Sequence, residues 1–495
     1  MRILYVDIDS LRPDHLGCYG YHRATSPNID AVAARGTRCT NYYATDAPCL
    51  PSRTALFSGR FGIHNGVVGH GGTAADPFVE GADRKFRGNL GQNAWMTALR
   101  RAKHRTATVS TFGERHSAWH WYAGFQEIYN HGTGGGERAH EVAPYALDWL
   151  GRHAREENWF LHVNFWDPHT PYRTPPEYGE PFADAPPPAW LTPERLAAHR
   201  RSYGPHSAGE PVGFGGEHPS QRLPRMVDEI ATLGDFKRWI DGYDTGIRYA
   251  DEYVGRILDA LAAAGLLEQT LVLISADHGE NQGELGVYGD HQTADHITCR
   301  VPLIAAGPGI RAGAVDEGLH YHLDLPPTLC EMLGVAPAPH WDGRSFAPAL
   351  TSAAASAARD HLVVSQGAWA CQRGVRWDKW LLLRTYDPGL KPYPPLLLFD
   401  LAADPHETVD LAAARSDVVD HGLALLETWH TAQMATSSSG VDPMWTVLRE
   451  GGPFHTRGQR AKYCERLRAT GRGEHAERLE RAAAAAAVGH GGALA

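Results

Sequence analysis

Short β-branched and aliphatic runs alternate with stretches of helical period along most of the chain. Residues 3–8, 106–111, 159–166, 270–276 and 301–306 read as strands, and several are apolar on both faces, as strands inside a parallel sheet are. Between them, residues 27–35, 93–103, 139–153 and 235–264 carry apolar side chains at helical spacing. This order predicts an α/β fold with a mostly parallel, doubly wound sheet over residues 1–355. From 170 to 225 the chain turns rich in Pro, Gly, Tyr and His without a sustained period, which predicts a long excursion over the surface. After residue 355 the strands 361–366, 380–385 and 396–401 follow one another closely, and a helix is expected over 416–434. Residues 356–450 therefore read as a smaller α+β subdomain with an antiparallel sheet. The remainder, 451–495, is charged and then alanine-rich, predicting a helix that frays into a disordered Gly/Ala end.

Length and charge narrow the classes. A chain of 495 residues can bury a large core. Its 47 basic and 57 acidic side chains give a formal charge of −10, which argues against general nucleic-acid or membrane-surface binding and leaves any anionic ligand to be drawn by local groups. Seven cysteines at scattered positions show neither zinc spacing nor a disulfide framework. With no signal-peptide pattern before the first strand and no apolar run long enough for a bilayer, a cytoplasmic location is expected.

In an open parallel sheet, ligands bind beyond the carboxyl ends of the strands. Asp9 ends the first strand, His116 follows the second, His169 follows Phe160-Leu-His-Val-Asn-Phe-Trp166, and Asp277-His278 closes Leu271-Val-Leu-Ile-Ser-Ala276. These distant residues should meet at one sheet edge. Two carboxylates and an imidazole from Asp9, Asp277 and His278 form a hard to borderline ligand set, suited to Ca²⁺, Mg²⁺ or Mn²⁺.

Cys49 opens the run Cys49-Leu-Pro51-Ser-Arg53. Ala47-Pro48 holds the approach extended, Pro51 is tolerated in a first helical turn, and Ser58-Gly59 stops the helix. The cysteine then sits where free backbone N–H groups and the helix dipole favour an anion, with Arg53 one turn on. A lone cysteine is commonly a small buried hydrophobe; the company of Arg53 and the sheet-edge groups favours a reactive one.

The run Cys-x-Pro-Ser-Arg, continuing Thr54-Ala-Leu-Phe-Ser-Gly-Arg60, resembles the signature of the type I sulfatases of the alkaline phosphatase superfamily. Asp277-His-Gly-Glu280 is similar to the metal motif of that family, His169-Thr-Pro171 to its leaving-group histidine, Gly113-Glu-Arg-His116 to its Gly-Lys-Trp-His segment, and Leu398-Phe-Asp-Leu-Ala-Ala-Asp-Pro-His-Glu-Thr-Val-Asp-Leu411 to its late packing signature. The resemblance implies that Cys49 is converted to formylglycine by a modifying enzyme that reads Pro51 and Arg53. It also implies one divalent metal, calcium by family, on Asp9, Asp277 and His278. His116 would deprotonate the formylglycine hydrate, and His169 would contact or protonate the leaving oxygen. The expected reaction is hydrolysis of a sulfate ester, with a sulfated carbohydrate as the preferred substrate.

Three departures from the pattern bear on that expectation. Many sulfatases have two adjacent aspartates on the first strand, where this chain has Asp9-Ser10; Asp7 shares the face of Asp9 but lies about 7 Å lower. The first family lysine is replaced by Glu114, with Arg115 as the compensating cation, and the second falls near His291, with His296 behind it. Ser10 and the missing lysines leave open a phosphonate monoester or phosphodiester hydrolase of the same superfamily. A non-catalytic anion-binding relative is the third reading. The C-terminal extension is the candidate contact for a homo-oligomer.

Overall fold

The computed structural model describes residues 1–80, 84, 86, 88–352 and 358–491, with side chains to residue 482. Its strands are, in chain order, β1 (Arg2–Ile8), β2 (Thr37–Tyr43), β3 (Asp46–Ala47), β4 (Arg105–Val109), β5 (Glu127–Tyr129), β6 (Trp159–Phe165), β7 (Thr270–Ser275), β8 (Asn281–Gln282), β9 (Tyr288–Asp290), β10 (Arg300–Ala306), β11 (Ala314–Tyr321), β12 (His361–Gln366), β13 (Cys371–Trp377), β14 (Trp380–Asp387) and β15 (Leu396–Asp400).

The large sheet has eight strands in the order β11-β2-β10-β7-β1-β6-β4-β5. Only β10 runs against its neighbours, so the sheet is mostly parallel. β1, β6 and β7 are buried almost throughout, which explains their apolar character on both faces. Helices Pro27–Ala34, Ala139–His153 and Leu233–Ala263 lie where helical period predicts them. The last begins at Thr232, whose hydroxyl and the Asp235 carboxylate satisfy each other's backbone amides in a capping box. The expected helix at 93–103 is instead two short helices, Asn89–Asn93 and Trp95–Arg101, parted where Ala94 takes an extended conformation.

β2 and β11 form one edge of this sheet and were not legible. Partly exposed polar residues interrupt their apolar pattern, as edge positions allow.

The second sheet has the order β15-β14-β13-β12-β3. β12, β14 and β15 match the expected strands; β13, missed in the sequence, lies between β12 and β14. The sheet also takes in β3, parallel to β12. The strand immediately before Cys49 is therefore part of the C-terminal sheet, and this fixes the smaller layer against the start of the Cys49 helix.

The 170–225 excursion is not confined to the surface. It contains the helix Pro193–Arg200 and sends Tyr172, Ser207 and Glu210 into the interior. The tail returns to hold it: helices Arg460–Ala469 and Gly473–Gly491 follow the second sheet, and Tyr463, Arg466 and Arg472 all donate to the buried Glu210 carboxylate. The expected disordered end falls at 492–495, outside the described residues. No helix among the described residues is long and apolar enough to cross a membrane.

Candidate active site

Asp9, His116, His169 and Asp277-His278 follow β1, β4, β6 and β7, which are neighbours in the sheet and point the same way. They meet where Cys49 begins the buried helix Cys49–Ser58. That helix ends at Gly59, whose φ of +69° suits glycine. A Cβ there would lie 2.5 Å from the Trp341 ring.

Ligand atoms of Asp9, Cys49, Asp277 and His278 lie within 4.8 Å of one another. Cys49 Sγ is 3.1 Å from His278 Nε2, and His278 Nδ1 is 2.8 Å from the Gly279 carbonyl. Donation to that carbonyl puts the proton on Nδ1 and leaves the Nε2 lone pair facing the cluster. Arg53 joins the carboxylates: Nε donates to Asp7 at 2.9 Å, and Nη1 donates to Asp9 at 2.9 Å and to Asp277 at 2.6 Å. Three carboxylates thus face one guanidinium. Burial, reinforced by Asp9 and opposed by Arg53, pushes Asp277 up to about 7. Burial together with Asp9 and Asp277 raises the Cys49 thiol well above its usual range, so a thiolate is disfavoured.

The negative excess and the oxygen-rich donors fit a divalent cation held by Asp9, Asp277 and His278. Asp7 is engaged elsewhere, by Arg53 and by His162 at 3.3 Å. Ser10, where the second aspartate would stand, has φ +60°. Its hydroxyl donates to Asp9 at 3.0 Å, its amide to Asp277 at 3.2 Å, and its carbonyl accepts from Tyr243 at 2.7 Å. Ser10 orients both carboxylates.

His116 caps a short helix after β4, 4.9 Å from the His70 ring, and its Nε2 is buried without a hydrogen-bond partner among the described residues. Burial and the charges of Arg115 and Arg53 hold its pKa down to about 3. His169 is fixed through its neighbours: the Thr170 amide and hydroxyl and the Tyr172 hydroxyl donate to Glu280 at 3.2, 2.9 and 2.9 Å. Its Nδ1 contacts the Thr170 carbonyl, and burial lowers its pKa to about 4.

His291 stands 4.1 Å from His278, ring to ring, oriented by Asp290, with a buried Nδ1 that has no partner among the described residues. Arg115 lies over the Trp166 ring at 4.9 Å and contributes to the field at Cys49. His296 is a correction. Its Nδ1 meets the Tyr43 hydroxyl at 2.8 Å and its Nε2 meets Arg300 at 3.4 Å, so the ring braces β2 and β10 and takes no place in the Cys49 cluster. Asp295 likewise binds Asn281 and caps the next turn.

Several site groups had no signal in the sequence. His70 receives the Leu50 amide at 3.5 Å and meets His455 at 3.0 Å. His455 stacks on Trp369 at 4.5 Å, and Trp369 packs on His206 at 5.4 Å, whose Nε2 is 2.8 Å from Asp290. Gln366 donates to the His291 carbonyl at 2.6 Å. The excursion, β12 and the tail all contribute to this arc, and no spacing in the sequence links them.

The sulfatase family model matches residues 2–335. The chain belongs to the sulfatase family. It is a hydrolase of sulfate esters, with the α/β architecture of the alkaline phosphatase superfamily. This sulfatase is 27% identical over 441 residues to a choline-sulfatase from Rhizobium meliloti, covering 80% of the chain and 79% of that protein. The structure of BT4656 with its substrate D-glucosamine-2-N,6-O-disulfate superposes with a TM-score of 0.70 at 19% identity, over 88% of this chain and 98% of the other. A phosphonate monoester hydrolase from Agrobacterium radiobacter gives 0.63 at 22% identity, over 88% and 95%.

Proposed function

We propose that the protein hydrolyses the sulfate ester of a sulfated carbohydrate, with Cys49 converted to formylglycine by a separate modifying enzyme. One divalent cation, calcium in first place with manganese or magnesium as alternatives, would be held by Asp9, Asp277 and His278. The observation that carries this reading is the set of buried nitrogens around Cys49 that have no partner among the described residues: Arg53 Nη2, His116 Nε2 and His291 Nδ1. Buried polar atoms are almost always paired; Arg53 Nη2 can donate to an oxygen of a tetrahedral anion, and the two ring nitrogens can accept protons from groups bound beside it. The raised thiol adds support, since a cysteine kept protonated is a poor nucleophile where all the machinery converges.

The hydrated aldehyde would supply two hydroxyls, one nucleophilic and one able to lose a proton, and the cation held by Asp9, Asp277 and His278 would supply positive charge beside the transferring group. Arg53 orients the ester oxygens through Nη2 while Nη1 keeps Asp9 and Asp277 in place. His116, neutral down to about pH 3, is available as the base for the second hydroxyl. His169 protonates the departing alcohol from Nε2, because Nδ1 is directed at the Thr170 carbonyl; the bound anion favours its protonated form.

The test is mass analysis of the Cys49 peptide alongside sulfate release from sulfated sugars, choline sulfate and 4-nitrophenyl sulfate. Aldehyde at position 49 and turnover of sulfated sugars above the other esters are expected. A second reading, phosphonate or phosphodiester hydrolysis, is favoured by Ser10 in place of a second aspartate. Efficient phosphonate cleavage without sulfate release would replace the first reading with it.

A further inference from the structure

Two arginines share the surroundings of His169 without a carboxylate partner of their own among the described residues. Arg173 lies four residues beyond His169, after the Thr170–Tyr172 turn that Glu280 holds. Among the described residues it makes no hydrogen bond and no ion pair. Its Nε is buried and unpartnered, while the side chain as a whole is only partly buried and its terminal nitrogens are not among the enclosed atoms. The terminal nitrogens of the guanidinium are therefore not sealed off from solvent.

The charges around Arg173 are Asp167, Arg115, Asp9 and Glu137. Asp9 is committed to Arg53. Asp167 accepts from the Ala139 amide at 2.9 Å, and burial raises it to about 6. Both Glu137 oxygens are buried without a hydrogen-bond partner among the described residues, so no hydrogen bond joins this carboxylate to Arg173. Burial lowers the Arg173 pKa despite these carboxylates, and none of them forms an ion pair with it among the described residues. Arg115 adds a second one. Its guanidinium carbon stands 4.9 Å from the centre of the Trp166 ring, and it gives a hydrogen bond to the Gly134 carbonyl at 3.2 Å. Both guanidiniums bear on His169.

We propose that Arg173, together with Arg115, forms a subsite for a second oxyanion, a sulfate or a carboxylate, carried by the alcohol portion of the ester. The guanidinium fork matches either group bidentately. The sulfate undergoing cleavage is already provided for by Arg53 and the cation ligands. This subsite rests on the sulfate-ester reading, because it takes His169 to mark the side from which the alcohol departs.

The experiment compares kcat/KM of the full-length modified protein on N-acetylglucosamine 6-sulfate, which has one anion, with glucosamine 2-N,6-O-disulfate and iduronate 2-sulfate, whose second anions are a sulfate and a carboxylate. Arg173→Gln is expected to lose about 10- to 100-fold more on a doubly anionic ester than on the singly anionic one. Arg173→Lys should fall between, keeping charge without the fork. The ester that shows the differential loss identifies the second anion. Equal losses on all three would overturn the subsite. Calorimetry with Cys49→Ser needs neither turnover nor a substitution at Arg173: at least about tenfold tighter binding of one doubly anionic sugar is expected, and equal affinities would overturn the proposal. If no sulfate ester is hydrolysed, the functional reading fails and this binding comparison still decides the subsite.

Discussion

Cys49 Sγ stands 3.1 Å from His278 Nε2, and the opposite nitrogen of that ring is 2.8 Å from the Gly279 carbonyl. The backbone of the β7 turn thereby selects the tautomer that presents a lone pair to the cluster. His278→Ala is expected to weaken calcium binding by at least about 100-fold, since even outer partners of a metal ligand cost 10- to 100-fold. Calorimetric titration of the metal-free protein would check this; unchanged affinity would remove His278 from the ligand set.

Ser10 takes the position of a second carboxylate, yet its hydroxyl donates to Asp9 and its amide to Asp277. Ser10→Asp would place a fourth acid against Arg53 in a fully buried site. The metal-free protein is expected to lose about 1–3 kcal/mol, and calcium should restore more stability to this variant than to the parent. Urea unfolding with and without calcium reads both effects.

Asp277 is pushed up to about 7 by burial. A cation binds its ionised form, so below pH 7 the proton must leave as metal enters. The sign follows: affinity falls as pH drops below about 7, by up to about tenfold per unit, and levels off above it. Titrations from pH 5.5 to 8.5 in buffers of different ionisation enthalpy should show proton release that vanishes at high pH. Release that increases with pH would contradict the assignment.

Glu210 receives Tyr463, Arg466 and Arg472 from the tail. Its side chain is fully buried, whereas those of Arg466 and Arg472 are 32% and 20% exposed. Glu210→Ala is expected to cost about 2–4 kcal/mol, less than a fully enclosed pair would because the arginines can turn to water. Limited proteolysis should then cut near residue 459. Because the same excursion carries His206 to Asp290, KM should rise more than kcat falls.

The parallel core was legible because β1, β6 and β7 are buried on both faces and so are mostly apolar. Chain direction then carried Asp9, His116, His169 and Asp277 to one edge. The helix at Cys49 was legible from Pro51 and Gly59, whose backbone preferences are local. β2 and β11 were not, because their pairing depends on distant strands; β13 pairs with its chain neighbours but carries Gln372, Arg373 and Arg376 among its seven residues, which hides its buried character. His296 shows the limit of counting along the chain: it lies five residues from His291, but the turn between them directs one ring to His278 and the other to Tyr43.

The sequence by itself determined the parallel core strands, the helix that begins at Cys49 and the gathering of Asp9, His116, His169 and Asp277 at one sheet edge, since each follows from local periodicity, a short motif or chain direction. Only the tertiary structure decided what surrounds them. Arg53 reaches three carboxylates from three segments, Ser10 orients two of them, and His70, His455, Trp369 and His206 meet across nearly 400 residues. The same holds for Arg173, whose missing partner is visible only once every neighbouring carboxylate has been placed. Such relations are fixed by packing and charge compensation between remote segments, and these leave no period in the chain.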